Sequence, residues 1–197
     1  MSISTEESFQ GKGVFPAKYA FTLLIPLRNI FLSPKLLIER LDLKPGHRVL
    51  EIGPGPGYFS THIAKKLDGP SGHLTLADLQ PAMLNKARKR LEARKLTNVD
   101  YVQLDGTGLD FPESSFDRVF MVTVIGEVQP DSMQRKYIED ISRIMKMDGI
   151  LSISELAGDP DKLSTAELTE LVCSGGSFEV KKIFGSERNY TANFSKL

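Results

Sequence analysis

Residues 49–60 read Val-Leu-Glu-Ile-Gly-Pro-Gly-Pro-Gly-Tyr-Phe-Ser, and this stretch decides the fold. Residues 49–52 form a short apolar run suited to a buried strand, and residues 58–67 place Phe59, Ile63, Ala64 and Leu67 at helical spacing. Between them stand Gly53, Gly55 and Gly57, separated by Pro54 and Pro56. Glycine lets a backbone come close to a ligand, and the prolines limit the freedom that glycine would otherwise lose on folding. A strand, a glycine loop and a helix in that order open a parallel α/β sheet, with the loop at the carboxyl edge where such sheets bind ligands. A purely structural turn is the bland alternative; the density of glycine between strand and helix argues against it.

The alternation continues outward from this unit. Residues 69–72 form a turn, residues 74–77 a second strand, and Pro81 opens a helix over 81–96 with Met83, Leu84, Ala87 and Leu91 on one face. Strands follow at 99–104 and 118–124. A helix is predicted over 131–147 from Met133, Tyr137, Ile141 and Ile144; residues 147–149 end it, and a fifth strand runs over 150–154. Upstream, Ser33-Pro34 supplies an N-cap and first-turn proline for a helix running to about residue 41, and Lys44-Pro45-Gly46 turns the chain into the sheet. Downstream, a helix at 165–173 precedes two β-like runs, 178–184 and 190–194, whose short connection makes them antiparallel. The expected fold is a doubly wound α/β sheet finished by a C-terminal antiparallel hairpin. Residues 33–197 are read as one domain, and residues 1–32 as a separate N-terminal segment.

The composition sets outer limits. In 197 residues, 25 Lys+Arg balance 25 Asp+Glu, and 41% hydrophobic with 25% charged residues is ordinary for a globular chain. Zero net charge argues against holding nucleic acid by phosphate neutralisation. One Cys excludes an internal disulfide, and with three scattered His it offers no zinc spacing, so no metal is expected. No signal peptide is read, and the expected location is cytoplasmic. The apolar run at 19–32 is too short for a membrane span and is interrupted by Pro26 and Arg28.

The glycines run G-x-G-x-G, and Tyr58 stands where a dinucleotide fingerprint has its third glycine. No G-K-[ST] follows, which removes a P-loop. A nucleoside without a pyrophosphate suits the loop better. Asp78, about 20 residues beyond it, has the separation expected of a ribose-binding carboxylate. Asp105 at the next strand end can accept from an exocyclic amine.

VLEIGPGPGYFS, LTLADLQPAML, VQLDGTGLDFPESSFDRVFM and IMKMDGILSISE resemble, in order, the motifs of class I S-adenosylmethionine-dependent methyltransferases, nearest to the group that includes the quinone C-methyltransferases. The resemblance runs from about Leu36 to the C-terminus. It implies a seven-stranded Rossmann-like sheet in the order 3-2-1-4-5-7-6, with S-adenosylmethionine as cofactor and S-adenosylhomocysteine as product. It also implies roles. Gly53, Gly55 and Gly57 would lie beside the methionine part, Glu51 near its amino group, and Asp78 on the ribose hydroxyls. Asp105 and Gly106 would lie at the adenine with Leu79 and Met83 as apolar neighbours, and Thr123 in the floor under the sulfonium.

Methyl transfer chiefly needs alignment and exclusion of water, so no catalytic signature is required in the sequence. Thr123-Val124-Ile125-Gly126 departs from the [DN]-P-P-[YF] pattern of amino-group methyltransferases, and Cys173 follows Val172 rather than the proline of cytosine C5 enzymes. Cys173 is read as a small buried residue, and His47, His62 and His73 carry no site signal. The basic residues of 86–95 are read as a solvated helix face. Glu127 is the acid–base candidate, set against a loop carboxylate facing water. The short 185–189 connection leaves no room for a late insertion, so Phe15, Tyr19, Phe21, Leu23 and Leu27 are the candidate lid over an apolar acceptor. Packing on the sheet, a dimer interface and peripheral membrane contact are the alternatives for that segment. The resulting expectation is a methyltransferase acting on a small, hydrophobic molecule. A cofactor-binding subunit or sensor without its own transfer activity is the rival.

Overall fold

The computed structural model describes residues 32–67 and 69–197. The proposed lid residues Phe15, Tyr19, Phe21, Leu23 and Leu27 lie outside them. Helix α1 (Pro34–Arg40) starts as its sequence dictates: Ser33 is extended, and its hydroxyl accepts from the Leu36 N–H. Then follow β1 (Arg48–Ile52), α2 (Ser60–Lys66), β2 (His73–Asp78), α3 (Pro81–Glu92), β3 (Val99–Gln103) and β4 (Phe116–Val122). A short 3-10 turn (Ile125–Glu127), α4 (Asp131–Ile144), β5 (Met145–Glu155), α5 (Thr165–Cys173), β6 (Phe178–Ser186) and β7 (Asn189–Lys196) complete the chain.

The seven strands form one sheet in the order β3-β2-β1-β4-β5-β7-β6. β1 to β5 pair in parallel, while β7 runs antiparallel to both β5 and β6. The predicted order and terminal hairpin therefore hold. One face is covered by α1, α2 and α3, where Leu37, Leu41, Ile63, Leu67, Leu84 and Leu91 pack on Val49, Leu74 and Phe120. The other is covered by α4 and α5, where Tyr137, Ile141, Leu168 and Val172 pack on Leu50, Val119, Leu151 and Phe194. Apolar side chains on both faces of β1, β2 and β4 are what a doubly covered parallel sheet requires.

Several boundaries differ from the sequence reading. α4 ends at Ile144, because Met145 is already extended and pairs with Phe116. Residues 147–149 therefore form an irregularity inside β5, before Ile150 resumes the ladder opposite Arg118, rather than a link between helix and strand. α3 ends at Glu92, since Lys95 takes a left-handed conformation (φ 58°) and the Leu96 N–H donates back to the Leu91 carbonyl. α2 begins two residues later than predicted, β4 spans 116–122 instead of 118–124, and the hairpin turn shrinks to Glu187-Arg188.

Arg118 ties α1 to the sheet. Its guanidinium, nearly all buried, donates from Nε to the Leu41 carbonyl (2.7 Å) and from one Nη to the Asp42 carbonyl (3.3 Å). These are backbone acceptors at the C-terminal end of a helix, where a cation is best placed.

Candidate functional site

The carboxyl ends of the parallel strands are stitched side by side by backbone bonds. Gly53 N–H donates to the Ala77 carbonyl (2.8 Å), Leu104 N–H to Asp78 (2.9 Å) and Thr123 N–H to Ser154 (2.8 Å). This holds Gly53, Asp78, Leu104, Thr123 and Ser154 in one row. Of the predicted site residues, Gly53, Asp78 and Thr123 stand in it, and Leu79 and Asp105 directly follow members of it.

Gly53, Gly55 and Gly57 all adopt positive φ (65°, 54° and 79°), the left-handed region that glycine enters without steric cost. Two of them are also required by packing. A Cβ on Gly53 would stand 2.6 Å from a Val124 methyl, and one on Gly57 would stand 3.1 Å from Ala87 in α3. Gly57 thus lets α3 pack closely against the loop.

Asp78 closes the loop from the β2 side. Its carboxylate is mostly buried and accepts from the backbone N–H of Gln80 (2.9 Å) and of Gly55. Burial raises its pKa, and these two donors pull in the opposite direction. Glu51 sits one strand over, 3% exposed, and accepts a 2.6 Å hydrogen bond from the Ser60 hydroxyl at the start of α2. Desolvation pushes the Glu51 pKa up to about 8, with the Asp78 charge adding to the rise and the Ser60 bond opposing it. Ser60 was not singled out in the sequence; its place on the first turn after the glycine loop is the signal that could have found it.

Leu79 and Gly106 approach one another: a Cβ on Gly106 would lie 3.7 Å from the Leu79 side chain, which is partly exposed. Met83 instead is buried within α3. Asp105 is exposed, and its Oδ1 accepts from both the Thr107 N–H (2.8 Å) and the Thr107 hydroxyl (2.7 Å). Those bonds hold its carboxyl below the usual range. Thr123, directly after β4, has φ 54°, a rare conformation for a β-branched residue, and its hydroxyl donates to the Val122 carbonyl (2.7 Å). Such local strain persists where surrounding structure imposes it, and it gathers at ligand sites. Glu127 ends the 3-10 turn, half-buried. Cys173 is half-buried against the core, not fully buried. Among the described residues no group of three or more His, Cys, Asp or Glu could hold a metal, and no helix is long and apolar enough to cross a membrane.

The arrangement fits S-adenosylmethionine in its donor set. It offers a tight loop with its backbone close to the strand ends and a semi-buried carboxylate for a diol. It also offers a buried carboxyl for an ammonium group, and nothing built for a pyrophosphate.

Comparisons with known proteins agree. The chain is 32% identical over 130 residues to the ubiquinone/menaquinone biosynthesis C-methyltransferase UbiE of Pseudomonas putida (strain GB-1), covering 66% of this chain and 49% of that protein. It is 31% identical over 124 residues to the UbiE of Pasteurella multocida, covering 62% and 45%. The chain spans about half the length of these curated relatives. Its fold matches the crystal structure of a SAM-dependent methyltransferase from Aquifex aeolicus with a TM-score of 0.82, at 20% identity, over 93% of this chain and 100% of that one. A family model described as a methyltransferase domain matches residues 49–149. The chain therefore belongs to the methyltransferase domain family, among the class I S-adenosylmethionine-dependent methyltransferases.

Proposed function

We propose that the protein transfers a methyl group from S-adenosylmethionine to a small, largely apolar acceptor, with a phenol or hydroquinone ring as the first class to examine. The observation that carries the reading is Asp78, held by the Gly55 and Gln80 N–H groups beside the glycine loop at the carboxyl end of β2. Bound S-adenosylmethionine supplies an electrophilic methyl on a sulfonium. Asp78 takes the two ribose hydroxyls and Glu51 the amino group, while Gly53, Gly55 and Gly57 leave room for the methionine part. Leu79, Asp105 and Gly106 flank the adenine, with Met83 buried in α3, and Thr123 forms the floor beneath the sulfonium.

The chain contributes alignment and exclusion of water, the two things an already activated methyl group needs. The relatives' names, which place them in ubiquinone/menaquinone biosynthesis, support an apolar ring acceptor, as does the absence of any basic cluster among the residues assigned to the site. The test is incubation with methyl-labelled S-adenosylmethionine and a panel of reduced hydroquinones, phenols, amines and carboxylates. Label should appear in a ring-bearing acceptor. Label in none of the panel, with the donor shown to bind, would favour a cofactor-binding subunit or sensor instead.

A further inference from the structure

Glu155 is the last residue of β5, at the same carboxyl edge as Thr123 and the Glu127 turn. Its side chain is 0% exposed, and neither carboxyl oxygen has a hydrogen-bond partner among the described residues. This is the costliest kind of buried group, since an unpaired polar side chain loses its water and gains nothing in return. Folding alone would favour leucine or methionine there.

The surroundings define what the carboxyl can meet. Its neighbour across the β5–β7 ladder is Tyr190, whose hydroxyl is already committed to the Leu163 carbonyl (2.7 Å). Tyr190 therefore does not satisfy it. The charged groups within reach are Asp159 and Glu127, both acidic, and Lys162, whose ammonium lies 5.1 Å from the Tyr190 ring centroid. Gly126, beside Glu127, packs backbone to backbone on Asp161, so the turn after β4 and the segment after β5 meet next to this carboxyl.

We propose that Glu155 is the hydrogen-bonding group for the methyl acceptor, receiving the hydroxyl of a phenol or hydroquinone ring between the ends of β4 and β5. The inference rests on the methyltransferase reading above and adds to it the residue that meets the acceptor. Burial raises the Glu155 pKa to about 8, with Asp159 and Glu127 adding to the effect and Lys162 opposing it, so the group is uncharged at neutral pH. A protonated carboxyl offers one donor and one acceptor side by side, and a phenolic hydroxyl offers the same pair in return. Two hydrogen bonds then satisfy both groups without burying a charge. An anionic acceptor would instead face Glu127 and Asp159. The side chain is fully covered, so the acceptor reaches it only by displacing part of that cover.

The test uses the full chain saturated with S-adenosylhomocysteine, so that no turnover occurs, and 1,4-naphthohydroquinone kept reduced, measured by equilibrium dialysis. Glu155→Leu should weaken hydroquinone binding at least tenfold, and Glu155→Gln less, because an amide keeps one donor and one acceptor. Both variants should keep their S-adenosylhomocysteine affinity within about twofold. Both should also melt higher at pH 8, Glu155→Leu by about 3 °C or more because an orphan carboxyl has been removed, and Glu155→Gln by less because only its ionisation has. A purely structural glutamate would give the opposite melting result. Lower melting of both variants, or equal hydroquinone binding by wild type and variants, overturns the proposal. So does failure of the wild type to bind hydroquinone while it binds S-adenosylhomocysteine, an outcome that leaves the methyltransferase reading intact. Failure of the wild type to bind S-adenosylhomocysteine removes the reading beneath it.

Discussion

Glu51 gives a prediction whose size follows directly from its surroundings. Burial moves its pKa from 4.5 to about 8 in the folded chain, while in the unfolded chain it titrates as an ordinary carboxyl. Below pH 4.5 both states hold the proton, and the group does not alter stability with pH. Between pH 4.5 and 8 the unfolded state ionises freely and the folded state resists, so the folded state binds more protons and stability falls as pH rises. Each pH unit removes 1.36 kcal/mol, for a total of up to about 5 kcal/mol, and the loss levels off above pH 8. Glu51→Gln removes the ionisation and keeps an oxygen to accept from Ser60. Urea unfolding of both proteins from pH 4.5 to 9 isolates the term, because the other titrating groups, apart from the coupled Asp78, contribute equally to both. The stability of Glu51→Gln relative to wild type should rise across this range by several kcal/mol, with the whole change complete near pH 8. Parallel curves would show that Glu51 titrates as a solvated carboxyl, and the account of a proton-holding group behind the glycine loop would fail.

Two further outcomes follow from the same contacts. Asp78→Ala should weaken S-adenosylmethionine binding by about 1.5–3 kcal/mol, the range for hydrogen bonds to a charged group, as read by calorimetry; unchanged affinity would remove Asp78 from the site. Arg118→Met strands the Leu41 and Asp42 carbonyls, so the urea midpoint should drop by an amount equivalent to about 2–4 kcal/mol; an unaltered midpoint would show that α1 is held by its leucines alone.

The parallel sheet and its antiparallel end were legible because their causes are local, whereas the strand order followed only from the resemblance to the methyltransferases. Alternating strand and helix periods require a parallel sheet, and the short link between the last two runs requires an antiparallel end. That the glycine loop, Asp78 and Asp105 gather at one edge was legible because each stands at or just past a strand's carboxyl end, and those ends lie side by side in such a sheet. What escaped depended on contacts distant in sequence. Met145 looked helical by spacing, and only its pairing with Phe116 makes it the first residue of a strand. The role of Gly57 depends on Ala87, and Ser60 matters because Glu51 lies buried beneath it. Glu155 stood within a quoted motif, yet nothing in its neighbours in sequence says that both its oxygens end up unpartnered. Asp105 shows the converse: its position was foreseen, while the Thr107 bonds that occupy Oδ1 were not.

The central claim is that the carboxyl edge around Gly55 and Asp78 holds S-adenosylmethionine. Isothermal titration of the wild-type chain with S-adenosylmethionine and S-adenosylhomocysteine tests it most directly. The account predicts saturable one-to-one binding of both in the micromolar range or tighter, and no binding of either at those concentrations would contradict it.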